Sequence, residues 1–201
     1  KVEKSAKNAG VPPQAFVDEV SEHFRDMARD LNLSNDDFIR TTQPRHIAEA
    51  QAMWKRLEEA GDIYLGSYAG WYAMRDEAFY AESELVNGKA PTGAEVEWVE
   101  EPSYFFRLSK YQQPLLDLYA RQPDFILPES RRNEVIRFVE GGLKDLSISR
   151  TTFEWGIPVP GDEKHIMYVW LDALTNYLTA ADGFWPADLH MVGKDILRFH
   201  A

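Results

Sequence analysis

The sequence predicts an α/β fold in which a nucleotide-binding domain is interrupted by a small β-rich insertion. Three observations predict it. Helical periodicity marks residues 14 to 32 and 43 to 61, the stretch from Asp62 to Glu101 turns aromatic and β-like, and strand-then-helix passages return from residue 146 onward. The corresponding segments are 1–61 and 146–201 for the two parts of the α/β domain and 62–145 for the insertion.

Residues 1 to 8 read as the tail of a helix, stopped by Gly10 and the Pro12–Pro13 pair. From Gln14 to Asn32, Phe16, Val17, Val20, Phe24, Met27, Ala28 and Leu31 keep a 3.6-residue period, which predicts a helix. "DDFIRTT" reads as a short strand. "QPRHIAEAQAMWKRLEEAG" is a helix with Pro44 near its start, Ile47, Ala50, Trp54 and Leu57 on one face, and Gly61 at its end. In the aromatic stretch, Gly66, Gly70, Asn87–Gly88 and Thr92–Gly93 are turn signals that divide it into short strands. "SKYQQPLLDLYARQP" and "ESRRNEVIRFVEGGL" supply two helices. "LSISRTTFEWGIPVPGD" is strand-like around a turn, "HIMYVWLDALTNYLTAA" is strand then helix, and "ADLHMVGKDILRFHA" is strand, turn and helix start.

Composition narrows the function. With 201 residues, the chain is long enough for a core and an inserted lobe. No run approaches the roughly 20 apolar residues of a membrane span, and no charged leader precedes an apolar segment. No membrane partner is expected, and a cytoplasmic location is. The absence of cysteine excludes disulfides, thiolate catalysis and cysteine zinc sites. A net charge of -11 argues against a broad non-specific nucleic-acid surface, while leaving room for a local patch that meets one RNA. No methionine opens the chain and it stops at "ILRFHA", so an excerpt of a longer protein is expected.

Chemistry-bearing residues concentrate near the end. Trp170, Ala173, Leu174 and Tyr177 share one helical face just after an apolar strand, where α/β sheets bind ligands. Ala173 leaves a hollow between two flat walls. Such a hollow suits a flexible, polarizable side chain, since sulfur–aromatic contacts contribute about 0.3–1.5 kcal/mol. Spacing alone favours an ordinary core face. Gly193, Lys194 and Asp195 after a second apolar strand suit backbone approach by a ligand and a ribose-binding carboxylate. A helix cap with a glycine turn explains them equally well. His200 reads as a pocket donor or a satisfied core histidine, and Arg150 as a phosphate ligand or half of an internal ion pair.

Taken as an ordered set, "SYFFRLSKYQQPLLDLY", "ILPESRRNEVIRFVEGGLKDLSISRTTFEWGIPVPGD", "MYVWLDALTNYLTA" and "MVGKDILRFHA" closely resemble bacterial methionyl-tRNA synthetases, which are class I aminoacyl-tRNA synthetases. The likeness runs nearly from end to end. It implies the central part of a Rossmann-like catalytic domain with its connective insertion. It also implies a methionine side-chain site made by Trp170, Ala173, Leu174, Tyr177, Phe199 and His200, with "WLDAL" standing where other members have proline for Leu174. Gly193, Asp195 and Ile196 would lie against ATP, and Arg150 would face the reacting phosphates. The implied activity joins L-methionine to tRNA(Met) through methionyl-adenylate, with Mg2+ accompanying ATP. Homocysteine is the expected competitor, because one methylene is worth only about 1–3 kcal/mol in an apolar pocket.

The departures are as informative. Many relatives hold zinc with cysteine pairs in the insertion, but here those positions correspond to Ala73, Asp76, Ala90 and Gly93. One carboxylate cannot replace four thiolates, so no zinc is expected. Packing among Tyr64, Tyr68, Trp71, Tyr72, Phe79, Tyr80 and Trp98 is expected instead. The family's "HIGH" and "KMSKS" signatures are not in these 201 residues, so the chain alone is expected not to catalyse adenylation. Two rival readings are a leucine- or valine-type ligase, disfavoured by the shortness of the 62–101 lobe, and a non-catalytic relative that binds tRNA or an amino acid.

Overall fold

The computed structural model describes residues 2–76, 78–80, 82–152, 154–181 and 183–201. Helices α1 (Val2–Ala9) and α2 (Pro13–Asp30) are followed by an extended stretch, then by α3 (Pro44–Glu59). Pro13 and Pro44 both open their helices, where a missing N–H costs nothing. Gly61, with φ of 71°, turns the chain out of α3. The apolar residues of α2 keep their helical period, yet none is buried. Phe24, Met27 and Leu31 are exposed.

The segment expected as an insertion begins with β1 (Ile63–Ala73), followed by the short β2 (Ala78–Tyr80) and the long β3 (Glu97–Phe106). β1 and β3 pair antiparallel along nearly their whole length, and β4 (Leu146–Ser147) adds to β3, giving the order β2-β1-β3-β4. The turn signals at Gly66 and Gly70 therefore fail, because both lie inside one eleven-residue strand. At Gly66 a Cβ would sit 3.2 Å from the Phe105 ring, which stacks on Tyr64. Glycine here clears space for a cross-strand aromatic pair, and its strand position reflects that close approach. Asn87–Gly88 does form the expected tight turn. Both residues have positive φ, and Val86 and Lys89 exchange backbone hydrogen bonds across it.

A 3-10 turn at Leu108–Tyr111 leads to α4 (Gln112–Arg121), which packs against α5 (Glu129–Glu140) around Tyr119, Ile126, Val135 and Val139. A second sheet follows, made of β5 (Ser149–Arg150), β6 (Pro158–Val159) and β7 (Asp162–Met167) in the order β5-β7-β6. The two sheets are stitched together. Ser103 Oγ donates to the Ser149 carbonyl at 2.9 Å, Tyr104 N–H to Ser149 Oγ at 2.8 Å, and Ile148 N–H to the Tyr104 carbonyl at 2.8 Å. All described strand pairs are antiparallel. The main core lies where α3 meets these sheets, built from Ala50, Trp54, Ile63, Ile148, Ile157, Val159 and Met167.

α6 (Val169–Ala181) leaves β7 and crosses α3. A 3-10 turn at Lys194–Ile196 and the short α7 (Leu197–His200) close the described chain. Two expected strands do not form. Residues 36–42 are coil ending in a turn and residues 187–192 are coil, neither carries a ladder, and Leu189 and Met191 stand exposed. A strand needs a partner for its backbone groups, and neither segment meets one among the described residues.

Candidate active site

α6 and α7 build the site. Trp170 lies in the first turn of α6, and its ring stacks on Phe199 of α7 with centroids 3.7 Å apart and planes 7° from parallel. One helical face below it come Ala173, Leu174 and Tyr177, all half-buried. Tyr177 donates its hydroxyl to His200 Nε2 at 2.6 Å, while His200 Nδ1 donates to the Ile196 carbonyl at 2.8 Å. The carbonyl only accepts, so the proton sits on Nδ1 and leaves Nε2 to receive the phenol. Burial holds the Tyr177 hydroxyl above the usual phenol range, keeping it a donor. The structure thus unites six of the expected residues, drawn from two segments, into one aromatic-walled surface.

Two further residues join it that the sequence reading passed over. His190 meets the Tyr177 ring edge-on at 4.7 Å, and Trp185 lies 5.9 Å from His190. Both sit in the coil from 183 to 193, which has no periodicity to betray a face. The one signal available was Trp185 directly before Pro186, with His190 four residues beyond it.

The expected nucleotide residues lie on the turn that leads into α7. Gly193, Asp195 and Ile196 are all solvent-exposed. A Cβ at Gly193 would meet nothing within 4 Å, so its backbone is open to close approach.

Arg150 is placed differently, at 7% exposure inside the junction of the two sheets. Its guanidinium donates to Ser147 Oγ and, at 2.8 Å, to the Ser149 carbonyl. It lies 3.6 Å from a Glu101 carboxylate oxygen and 4.3 Å above the Tyr168 ring. Of its two sequence readings, this geometry displays the internal ion pair.

The tip of the insertion bears on the metal question. Ala73 and Ala90 are buried with Ala94 in a small apolar cluster edged by Tyr80 and Val96. Asp76 accepts hydrogen bonds from Tyr80 Oη at 3.0 Å, from Thr92 Oγ1 and from Arg75 Nε at 3.3 Å. Those donors, Thr92 foremost, hold its carboxyl below the ordinary range. The set Ala73, Asp76, Ala90 and Gly93 offers one carboxylate, already engaged, and does not fit zinc. Of the expected aromatic packing, Trp71 meets Trp98 edge-on at 5.4 Å, but Trp98 remains 56% exposed. The side chains of Tyr68 and Phe79 lie outside the described residues.

The mixed α/β fold that carries this aromatic surface has its counterparts among the class I aminoacyl-tRNA synthetases. The family model for tRNA synthetases class I (M) matches residues 1–97 and 83–201, and the chain belongs to that family. Methionine–tRNA ligase of Rickettsia conorii is 61% identical over 211 residues, spanning all of this chain and 42% of that protein. The Brucella suis ligase is 56% identical over 215 residues with the same 42% share. The solved Mycobacterium tuberculosis methionyl-tRNA synthetase in complex with methionyl-adenylate is 54% identical, with a TM-score of 0.91 over 99% of this chain and 42% of that one. The free-state form of that enzyme gives 0.81 over 92% of this chain. The chain therefore spans well under half the length of its relatives. Among the described residues, no helix is long and apolar enough to cross a membrane.

Proposed function

We propose that this chain forms the methionine-recognising part of a methionine–tRNA ligase, with residues 1–61 and 146–201 as its catalytic α/β portion and 62–145 as the connective insertion. The observation that carries the reading is the aromatic surface made where Trp170 stacks on Phe199 and Tyr177 meets His200. Trp170, Ala173, Leu174, Tyr177, Phe199 and His200 receive the thioether side chain. Flat aromatic walls and a small alanine suit an unbranched, polarizable group better than a branched one.

The methionine carboxylate oxygen attacks the α-phosphorus of ATP, the bond from that phosphorus to the bridging oxygen breaks, and pyrophosphate departs. A ribose hydroxyl of the terminal adenosine of tRNA(Met) then attacks the acyl carbon and AMP leaves. Gly193 admits the nucleotide to the backbone, Asp195 accepts from the ribose hydroxyls, and Ile196 lies against the adenosine. Arg150, directed by Glu101, offsets negative charge near the phosphates. Such chemistry depends on positioning and charge stabilisation. Mg2+ would accompany the ATP phosphates. A cytoplasmic site of action accords with a role in translation.

The test is methionine-dependent ATP–pyrophosphate exchange by the full-length protein, with homocysteine and leucine as comparators. Methionine is expected to exceed leucine in kcat/KM by more than about a hundredfold. Exchange that is absent, or equal with leucine, would overturn the reading.

A further inference from the structure

His46 is completely buried, at the start of α3. Its ring bonds α6 at two points. Nε2 lies 2.7 Å from Asp172 Oδ1, and Nδ1 lies 3.1 Å from Thr179 Oγ1. The carboxylate only accepts. Thr179 Oγ1, which also lies 3.2 Å from the Thr175 carbonyl, can give or take a proton and closes the second bond with Nδ1. The rigid ring thus reaches two partners from its two nitrogens, and no single amide side chain spans both positions.

The helix geometry gives this grip its meaning. At about 100° per residue, Asp172, Thr175 and Thr179 fall on one face of α6, while Trp170, Ala173, Leu174 and Tyr177 fall on the opposite face. His46 thus holds the back of the helix whose front carries the aromatic surface. Apolar packing between two helices tolerates small rotations and slides, whereas two directed hydrogen bonds, spaced two turns apart, tolerate neither. A buried polar pair of this kind is a poor source of stability against an apolar substitute, and its two directed bonds suit it to fixing one arrangement. Any turn of α6 would pull Trp170 off Phe199 and Tyr177 off His200.

We propose that His46, acting through Asp172 and Thr179, is a positioning residue that sets the orientation of the methionine-binding face of α6. The proposal rests on the reading of that face as the methionine site. The sequence holds no trace of it, since the partners are 126 and 133 residues apart.

The experiment measures methionine and ATP affinity separately, by equilibrium binding to the full-length protein. It compares wild type with His46→Gln, Thr179→Val and Thr179→Ser. Thr179→Val is nearly isosteric and keeps the fold should His46→Gln fail to. Weakening of methionine by roughly ten- to hundredfold in His46→Gln and Thr179→Val is expected, with ATP affinity unchanged. Thr179→Ser, which keeps the hydroxyl, is expected to bind as wild type. Wild-type methionine affinity in Thr179→Val would overturn the clamp alone, as would a parallel loss of methionine and ATP affinity in every variant. A wild-type protein that binds no methionine would overturn the reading of the site, and the clamp's role with it.

Discussion

Tyr177 joins two kinds of work in one side chain. Its ring forms a wall beside Ala173, and its hydroxyl fixes the His200 imidazole, whose far nitrogen is already committed to the Ile196 carbonyl. Tyr177→Phe keeps the wall and removes the bond. A neutral hydrogen bond is worth about 0.5–1.5 kcal/mol net, so methionine affinity is expected to fall roughly two- to tenfold while ATP affinity stays unchanged. Equilibrium dialysis against the full-length variant would read this, and unchanged methionine affinity would contradict it. At this scale, the α6 residues were legible because a helical face leaves a 3.6-residue rhythm. His190 and Trp185 were not, because coil carries no rhythm and their contacts are set by how residues 183–193 fold back. Arg150 was legible only as a choice between two roles, since a lone cation in a strand-like run does not reveal that Glu101 faces it.

Elements were read well where their ends carry chemistry. Pro44 and Gly61 bracket α3, and Asn87–Gly88 makes its turn. They were misread where a local signal answers to a distant partner. Gly66 looks like a turn residue until Phe105 is placed across from it. The 187–192 segment looks like a strand but has nothing to pair with. The root of the β1–β3 ribbon shows what such partners contribute. The Asp62 carboxylate, buried at the junction of α3 and β1, accepts from Lys110 Nζ and from Tyr111 Oη, each at 2.6 Å. These bonds, Lys110 first, hold its carboxyl below the ordinary value of 3.8. The ionised form is the one the fold favours. Its contribution is therefore complete above that value and is lost as pH falls through the lower folded value. In urea titrations of the full-length protein, Asp62→Asn should lower the midpoint at pH 7. The gap to wild type should close as pH drops below about 4. A gap independent of pH would contradict the assignment.

Across the whole molecule, the aromatic surface depends on parts far apart in the chain. α6 is held from behind by α3. α7 is seated on α4 and α5, where Leu197 and Ala201 pack against the Tyr119, Ile126, Val135 and Val139 cluster. The change from helical to aromatic, β-like sequence at residue 62 was visible in composition, and the structure places the end of α3 and the start of β1 there. The dependence of the site on both sides of that boundary was not visible, because it arises only when α4 and α5 fold back beneath α7. The central claim is that the hollow beside Trp170, Ala173 and Tyr177 takes the methionine side chain. The most direct test is a crystal of the full-length protein soaked with selenomethionine and measured at the selenium edge. The account predicts one anomalous peak lying against the Trp170 and Tyr177 rings. A peak elsewhere, or none at a concentration that saturates pyrophosphate exchange, would contradict it.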